Sequence, residues 1–182
     1  MYPKTKKFIH QLIEDHVMPG ASFGFITPNE RFEYREGSSA LVPEREPINE
    51  NQIYDIASLT KVLVTTTLIL QLWQEGKLDP DDKVSRYLPE FTAQEVTLRH
   101  LLTHTSGIEG YIPNRDALSA SELKEAILHL PIGKNFKKEV RYTDTGFILL
   151  GFVIEAIEKD SVVNVFTDRI SEPLNLKDSS YH

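Results

Sequence analysis

The chain has 182 residues, 40% apolar and 26% charged, which is the composition of an ordinary globular protein long enough to bury a core. Twenty basic residues against 27 acidic ones leave a net charge of −7, which argues against a nucleic-acid or anionic-membrane surface. There is no cysteine, so disulfide frameworks, thiol catalysis and thiolate metal sites are excluded.

Lys4, Lys6 and Lys7 lie near the start, but Glu14, Asp15 and His16 interrupt any apolar stretch after them. No signal peptide and no membrane span are expected, and the cytoplasm is the expected location. Thr5 to Val17 reads as an amphipathic helix with Phe8, Ile9, Leu12 and Ile13 on one side, stopped by Pro19-Gly20. Ala21 to Thr27 and Arg31 to Glu36 alternate as two strands about a turn at Pro28-Asn29-Glu30, which predicts a β-hairpin. A proline-bearing loop (Pro43, Pro47) leads to Tyr54-Asp-Ile-Ala-Ser58-Leu-Thr-Lys61, where an extended segment is expected to turn into a helix.

Thr60 suits the N-cap of that helix, with a start one or two residues earlier as the alternative, Gly76 suits its end, and the apolar run Val62 to Trp73 predicts burial on most sides. Asp79 to Asp82 reads as a turn and helix start, and Thr97 caps a short helix to Thr103 that breaks at Ser106-Gly107. Ser121 to Leu130 is an amphipathic helix with Ser121 as its cap, and Pro131 to Arg141 is a loop. Thr145 to Lys159 is a long apolar helix with Phe147, Leu150, Ile154 and Ile157. Val162 to Ile170 is a last helix, ended by Pro173, and Asn175 suits a left-handed turn. No strand is evident after Lys61. A hairpin alone is marginal in water, so it either packs on helices or has partners beyond residue 182.

Ser58 and Lys61 are three apart, so hydroxyl and amine become neighbours on one helical face. Ser58 also falls at a helix N-terminus, where developing negative charge is favoured. A serine beside an amine is one route to acyl-transfer chemistry, and S-x-x-K marks penicillin-recognising serine enzymes. On its own the pair is matched by a bland alternative, a capping serine and a surface lysine. His100 and His104 have the spacing of a helical zinc pair, but residue 101 is leucine where the zinc motif needs glutamate. They read as structural or surface histidines, and no metal or organic cofactor is implied. Ser106 beside His104 lacks the G-x-S-x-G elbow of a Ser-His-Asp enzyme.

Four stretches in order resemble the serine β-lactamase and penicillin-binding-protein superfamily, in its class C-like branch with esterases and D-aminopeptidases. They are Ser58-Leu-Thr-Lys61, Leu101-Leu-Thr-His-Thr-Ser-Gly-Ile108, Tyr142-Thr-Asp144 with the apolar run after it, and Glu172-Pro-Leu-Asn-Leu176. The resemblance implies an α/β (α+β) β-lactamase/transpeptidase-like fold over 1-182. Residues 1-57 would hold the N-terminal helix and hairpin, and 58-182 the helical region. It makes Ser58 the nucleophile, with Lys61 and Tyr142 as base and proton relay. Which of those two is the base stays open, because coupled groups titrate as a pair. Asp144 stands where asparagine is commoner. It can accept a hydrogen bond from Lys61 or a substrate amide, or cap the helix that follows, and it tilts the resemblance towards esters. The implied substrate is a small ester, amide, D-amino-acid peptide or β-lactam.

The family's third motif, K-T-G or H-x-G on a late strand, has no match here. The expectation is therefore an enzyme without its final sheet strands, weakened by the loss of an oxyanion donor. The alternative is a non-catalytic binding or regulatory module on the same scaffold. The strands could equally follow residue 182 in a longer enzyme, and a third possibility is that a complementing chain or swapped protomer supplies them.

Overall fold

Pro3 occupies the first position of helix α1 (Pro3–Glu14) in the computed structural model, which describes residues 2–181. Proline suits that position because its missing N–H has no helical partner there. The helix starts earlier than its periodicity suggests and stops at Glu14 rather than Val17, because His16 turns left-handed at φ 57°.

The described residues fall into two units, one ending at Asp55 and the other beginning at Ile56. In the first, β1 (Gly20–Ile26), β2 (Arg31–Ala40) and β3 (Glu46–Pro47) form an antiparallel sheet in the order β1-β2-β3. The hairpin has the expected strands, in a register that pairs Phe23 with Tyr34 and Phe25 with Phe32. These aromatic pairs share one half-buried face, while Ser22, Glu33 and Arg35 on the other meet water. The Lys6 ammonium of α1 sits 4.7 Å and 4.6 Å over the Phe32 and Tyr34 rings. The short strand β3 lies where the sequence predicts a loop, and β2 runs past Glu36 to meet it. Pro47 is tolerated there because β3 is an edge strand.

The second unit is helical. A widened π-helical turn (Lys61–Thr66) leads into α2 (Thr67–Gln74), followed by α3 (Leu98–Leu102), α4 (Ala120–Leu128), α5 (Asp144–Glu158), α6 (Val162–Phe166) and a closing π-helical turn (Thr167–Ser171). Among the described residues no helix is long and apolar enough to cross a membrane. Leu68, Ile69 and Leu72 of α2 pack with Leu149, Leu150, Val153 and Ile154 of α5, all fully buried. Each such side chain contributes about 1.5–3 kcal/mol over an exposed one.

The α2 run is not buried on most sides. Val62, Leu63, Leu70 and Trp73 are between 46% and 62% exposed, because only the opposite face meets the core. Two other expectations are corrected. Helix α4 is capped by Ser119, two residues before Ser121, through a reciprocal box with Glu122. Asp79–Asp82 is a turn, and only a single 3₁₀ turn (Val84–Arg86) follows it. Thr97 caps α3 as expected, and His100 completes that cap by accepting the Thr97 N–H at 3.0 Å.

Where α2, α5 and the closing turn meet, four charges form a ring. Arg169 bonds Glu75 and Glu158 at 2.6 Å each, and Lys77 bonds the same two at 3.0 Å and 2.8 Å.

Candidate active site

The chain reaches Ser58 through Ala57, which is held left-handed at φ 45°, a region that alanine rarely enters. Successive tight turns follow: Leu59, Thr60 and Lys61 donate their N–H groups to the carbonyls of Ile56, Ala57 and Ser58. Thr60 is therefore already helical and makes no cap bond, which fits the earlier start and not a cap at Thr60. Ser58 is exposed at the mouth of this first turn.

Lys61 opens the π-helical turn. The widened turn leaves the Lys61 and Val62 carbonyls to accept from the Thr66 and Thr67 hydroxyls, at 2.8 Å and 3.2 Å. Such turns are frequent at functional sites. The Lys61 side chain is only 15% exposed, and its ammonium donates to Ser58 Oγ at 3.1 Å and to Asp144 Oδ1 at 2.6 Å. Three residues of helical spacing thus bring hydroxyl and amine together, as the sequence predicts.

Asp144 is the first residue of α5 and lies 83 residues further along the chain than Lys61. The cap position belongs to Thr143, whose side chain makes no cap bond, so Asp144 serves Lys61 and not the helix end. Tyr142 lies in the loop just before α5, with the Lys61 ammonium 5.2 Å from its ring centre. All four residues expected to form the site, Ser58, Lys61, Tyr142 and Asp144, are therefore brought together.

Their charges are coupled. Burial pushes the Lys61 amine down, but hydrogen bonds with Asp144 and Tyr142 outweigh it, so the amine is held above its ordinary value. Hydrogen bonding with Ser58, and then with Lys61, holds the Tyr142 phenol below its ordinary value. The arrangement favours a charged lysine beside a phenol that gives up its proton readily.

His104 is the neighbour that spacing does not reveal. Its ring lies 4.6 Å from that of Tyr142 and 5.2 Å from that of Phe147. Its carbonyl accepts the Arg141 N–H at 2.8 Å and its Nδ1 accepts the Thr143 N–H at 3.4 Å. His100 faces elsewhere, into the α3 cap and against Phe136, so the two histidines do not share a site. The only pointer to His104 in the sequence is its place in the Leu101–Ile108 stretch. Ser106 is buried and accepts the Ile108 N–H, so its hydroxyl serves the loop.

A family model described as Beta-lactamase matches residues 5–182. Protein flp of Staphylococcus aureus (strain MW2) is 29% identical over 94% of this chain and 36% of its own length. Penicillin-binding protein 4* of Bacillus subtilis (strain 168) is 30% identical over 77% of this chain and 33% of its own length. Among solved structures, a class C beta-lactamase in complex with cefoxitin superposes with a TM-score of 0.84 at 24% identity, over 96% of this chain and 49% of that one. A D-amino acid amidase from Ochrobactrum anthropi SV3, complexed with L-phenylalanine, gives a TM-score of 0.73 at 26% identity, over 93% of this chain and 50% of that one. The chain spans about a third of the length of these curated relatives and about half of these structures.

Proposed function

Since the chain belongs to the beta-lactamase family, with half of that fold present, we propose that it is a serine hydrolase working by acyl transfer through Ser58. Both units are taken as parts of one domain of that family. The observation that carries the reading is the Lys61 ammonium, shared between Ser58 Oγ at 3.1 Å and Asp144 Oδ1 at 2.6 Å.

Tyr142 is the base in this reading. Asp144 keeps Lys61 protonated, which disfavours the neutral amine that a lysine base requires, while the same ammonium stabilises a Tyr142 phenolate. The phenolate takes the Ser58 proton as Oγ attacks the acyl carbon, and the proton then passes to the leaving oxygen or nitrogen. Water repeats the exchange on the acyl-enzyme and regenerates Ser58. Lys61 stays charged throughout and steadies the negative charge on Tyr142.

The substrate class is a small ester, amide, D-amino-acid peptide or β-lactam. Asp144 supports the uncharged or amine-bearing members of that set, since its carboxylate accepts hydrogen bonds and repels a substrate carboxylate.

The test is the intact mass of the chain after exposure to a serine-reactive fluorophosphonate, for wild type and Ser58→Ala in parallel. One adduct on wild type and none on Ser58→Ala is expected. An adduct that survives Ser58→Ala, or none on either, overturns the reading for this chain.

A further inference from the structure

Tyr142 stands between two backbone amides that are both tied to one residue. The Arg141 N–H ends on the His104 carbonyl at 2.8 Å, and the Thr143 N–H ends on the His104 ring at Nδ1, at 3.4 Å. The same ring packs against the phenol at 4.6 Å, tilted by 36°, and rests on Phe147 at 5.2 Å. Backbone on both flanks and the ring between them are thus set by one residue far earlier in the sequence.

We propose that His104 is a positioning residue for Tyr142, fixing the phenol towards Ser58 and Lys61 through its carbonyl, its Nδ1 acceptor and its ring face. The proposal rests on Tyr142 being the base.

His104 is itself well anchored. It follows α3 directly, adopts a left-handed φ of 56°, and gives its N–H to the Leu101 carbonyl at 3.2 Å. Helix α3 packs closely on α5, where a Cβ at Gly146 would stand 3.5 Å from the Leu101 carbonyl oxygen. The loop beyond is closed by Gly107 at φ 62°, where any Cβ would meet the Phe136 backbone at 2.7 Å. The clamp therefore stands on a rigid base, which is what a positioning group requires.

The chemistry calls for histidine and not simply an aromatic ring. Phenylalanine would keep the stack but leave the Thr143 N–H without its acceptor. Nδ1 accepts only in the neutral ring whose proton is on Nε2. Burial, and then the Lys61 charge, hold this imidazole below its ordinary value, and Asp144 alone opposes them. The ring thus stays neutral where the acceptor is needed.

Three variants separate the roles on the 182-residue chain. His104→Phe keeps the stack, His104→Asn keeps an acceptor, and His104→Ala keeps neither. Tyrosine labelled with ¹³C at Cζ gives each phenol its own NMR titration, and the Tyr142 signal is the one lost in Tyr142→Phe. His104→Phe and His104→Ala should move the Tyr142 titration up towards ordinary tyrosine and slow fluorophosphonate labelling by about 10²-fold, the usual penalty for a group misplaced by an ångström. His104→Asn should recover most of both. Long-range ¹⁵N correlation should show the wild-type ring protonated on Nε2. A wild-type Tyr142 titration and labelling rate in a folded His104→Phe would overturn the proposal, as would a proton on Nδ1. If wild type takes no adduct, the base assignment fails, while the Tyr142 titration and the ring tautomer still decide whether His104 positions the phenol.

Discussion

Lys61 and Asp144 meet at 2.6 Å across 83 residues of sequence, one from the turn after Ser58 and the other from the start of α5. The pairing makes the lysine a fixed positive charge. That choice decides how the neighbouring groups share their protons.

Replacing Asp144 by asparagine should move the Lys61 amine down, because the carboxylate that holds it up is gone while burial remains. Lysine labelled with ¹³C at Cε reads this directly. The pair is open to solvent on the Asp144 side, so the melting temperature should hardly move, in keeping with about 0–1 kcal/mol for exposed ion pairs. An unchanged lysine titration would show that the pair does not govern the charge.

Tyr142→Phe removes the proposed base and leaves the stack on His104. Fluorophosphonate labelling at Ser58 should slow by about 10²–10⁴-fold, the range for a general base. Thermal unfolding should be unaffected, since Tyr142 is 58% exposed. A fully active phenylalanine variant would return the role to Lys61.

The pH profile of labelling should be bell-shaped. Activity rises as the Tyr142 phenol loses its proton, below the ordinary tyrosine value of about 10, because its pKa is lowered. It falls as Lys61 loses its proton, above the ordinary lysine value of about 10.4, because its pKa is raised. Asp144→Asn should bring the upper limb down. A profile that rises without a fall would mean that the charged lysine is not needed.

Arg169 is the centre of the charge ring joining Glu75, Glu158 and Lys77. Arg169→Leu leaves two carboxylates with one cation between them and should destabilise by about 1–3 kcal/mol, between exposed and buried pairs. Glu75 is held down to about 2 by hydrogen bonds from Arg169 and Lys77. Its folded value is depressed, so its contribution is present above the unfolded glutamate value of about 4.3 and is lost as pH falls towards about 2. With Glu75 41% exposed, solvent screens much of that effect. Melting curves between those limits should fall less steeply in Arg169→Leu than in wild type.

Much of this site is legible in the amino-acid sequence. Ser58 and Lys61 follow from helical spacing, and Tyr142 and Asp144 from resemblance, although nothing local says that α5 delivers them to Lys61. Spacing pairs His104 with His100, a helical relationship that the break after α3 cancels. The cap of α4 is readable in Ser119-Ala-Ser-Glu122, where the capping box outranks the nearer Ser121. Strand β3 is hidden because proline signals a loop unless the strand is known to be an edge. The outward face of α2 is hidden because an apolar run has no sidedness of its own when nearly every position is apolar.

The left-handed Ala57 bears on which residues this position can accept. Holding an alanine there costs about 1–2 kcal/mol, a cost that glycine escapes and that valine or isoleucine would increase. Ala57→Gly should relieve the turn yet loosen the approach to Ser58, gaining stability at the turn while leaving the hydroxyl less firmly aimed. The direction of Ser58 is thus set from one residue upstream, by the left-handed turn at Ala57.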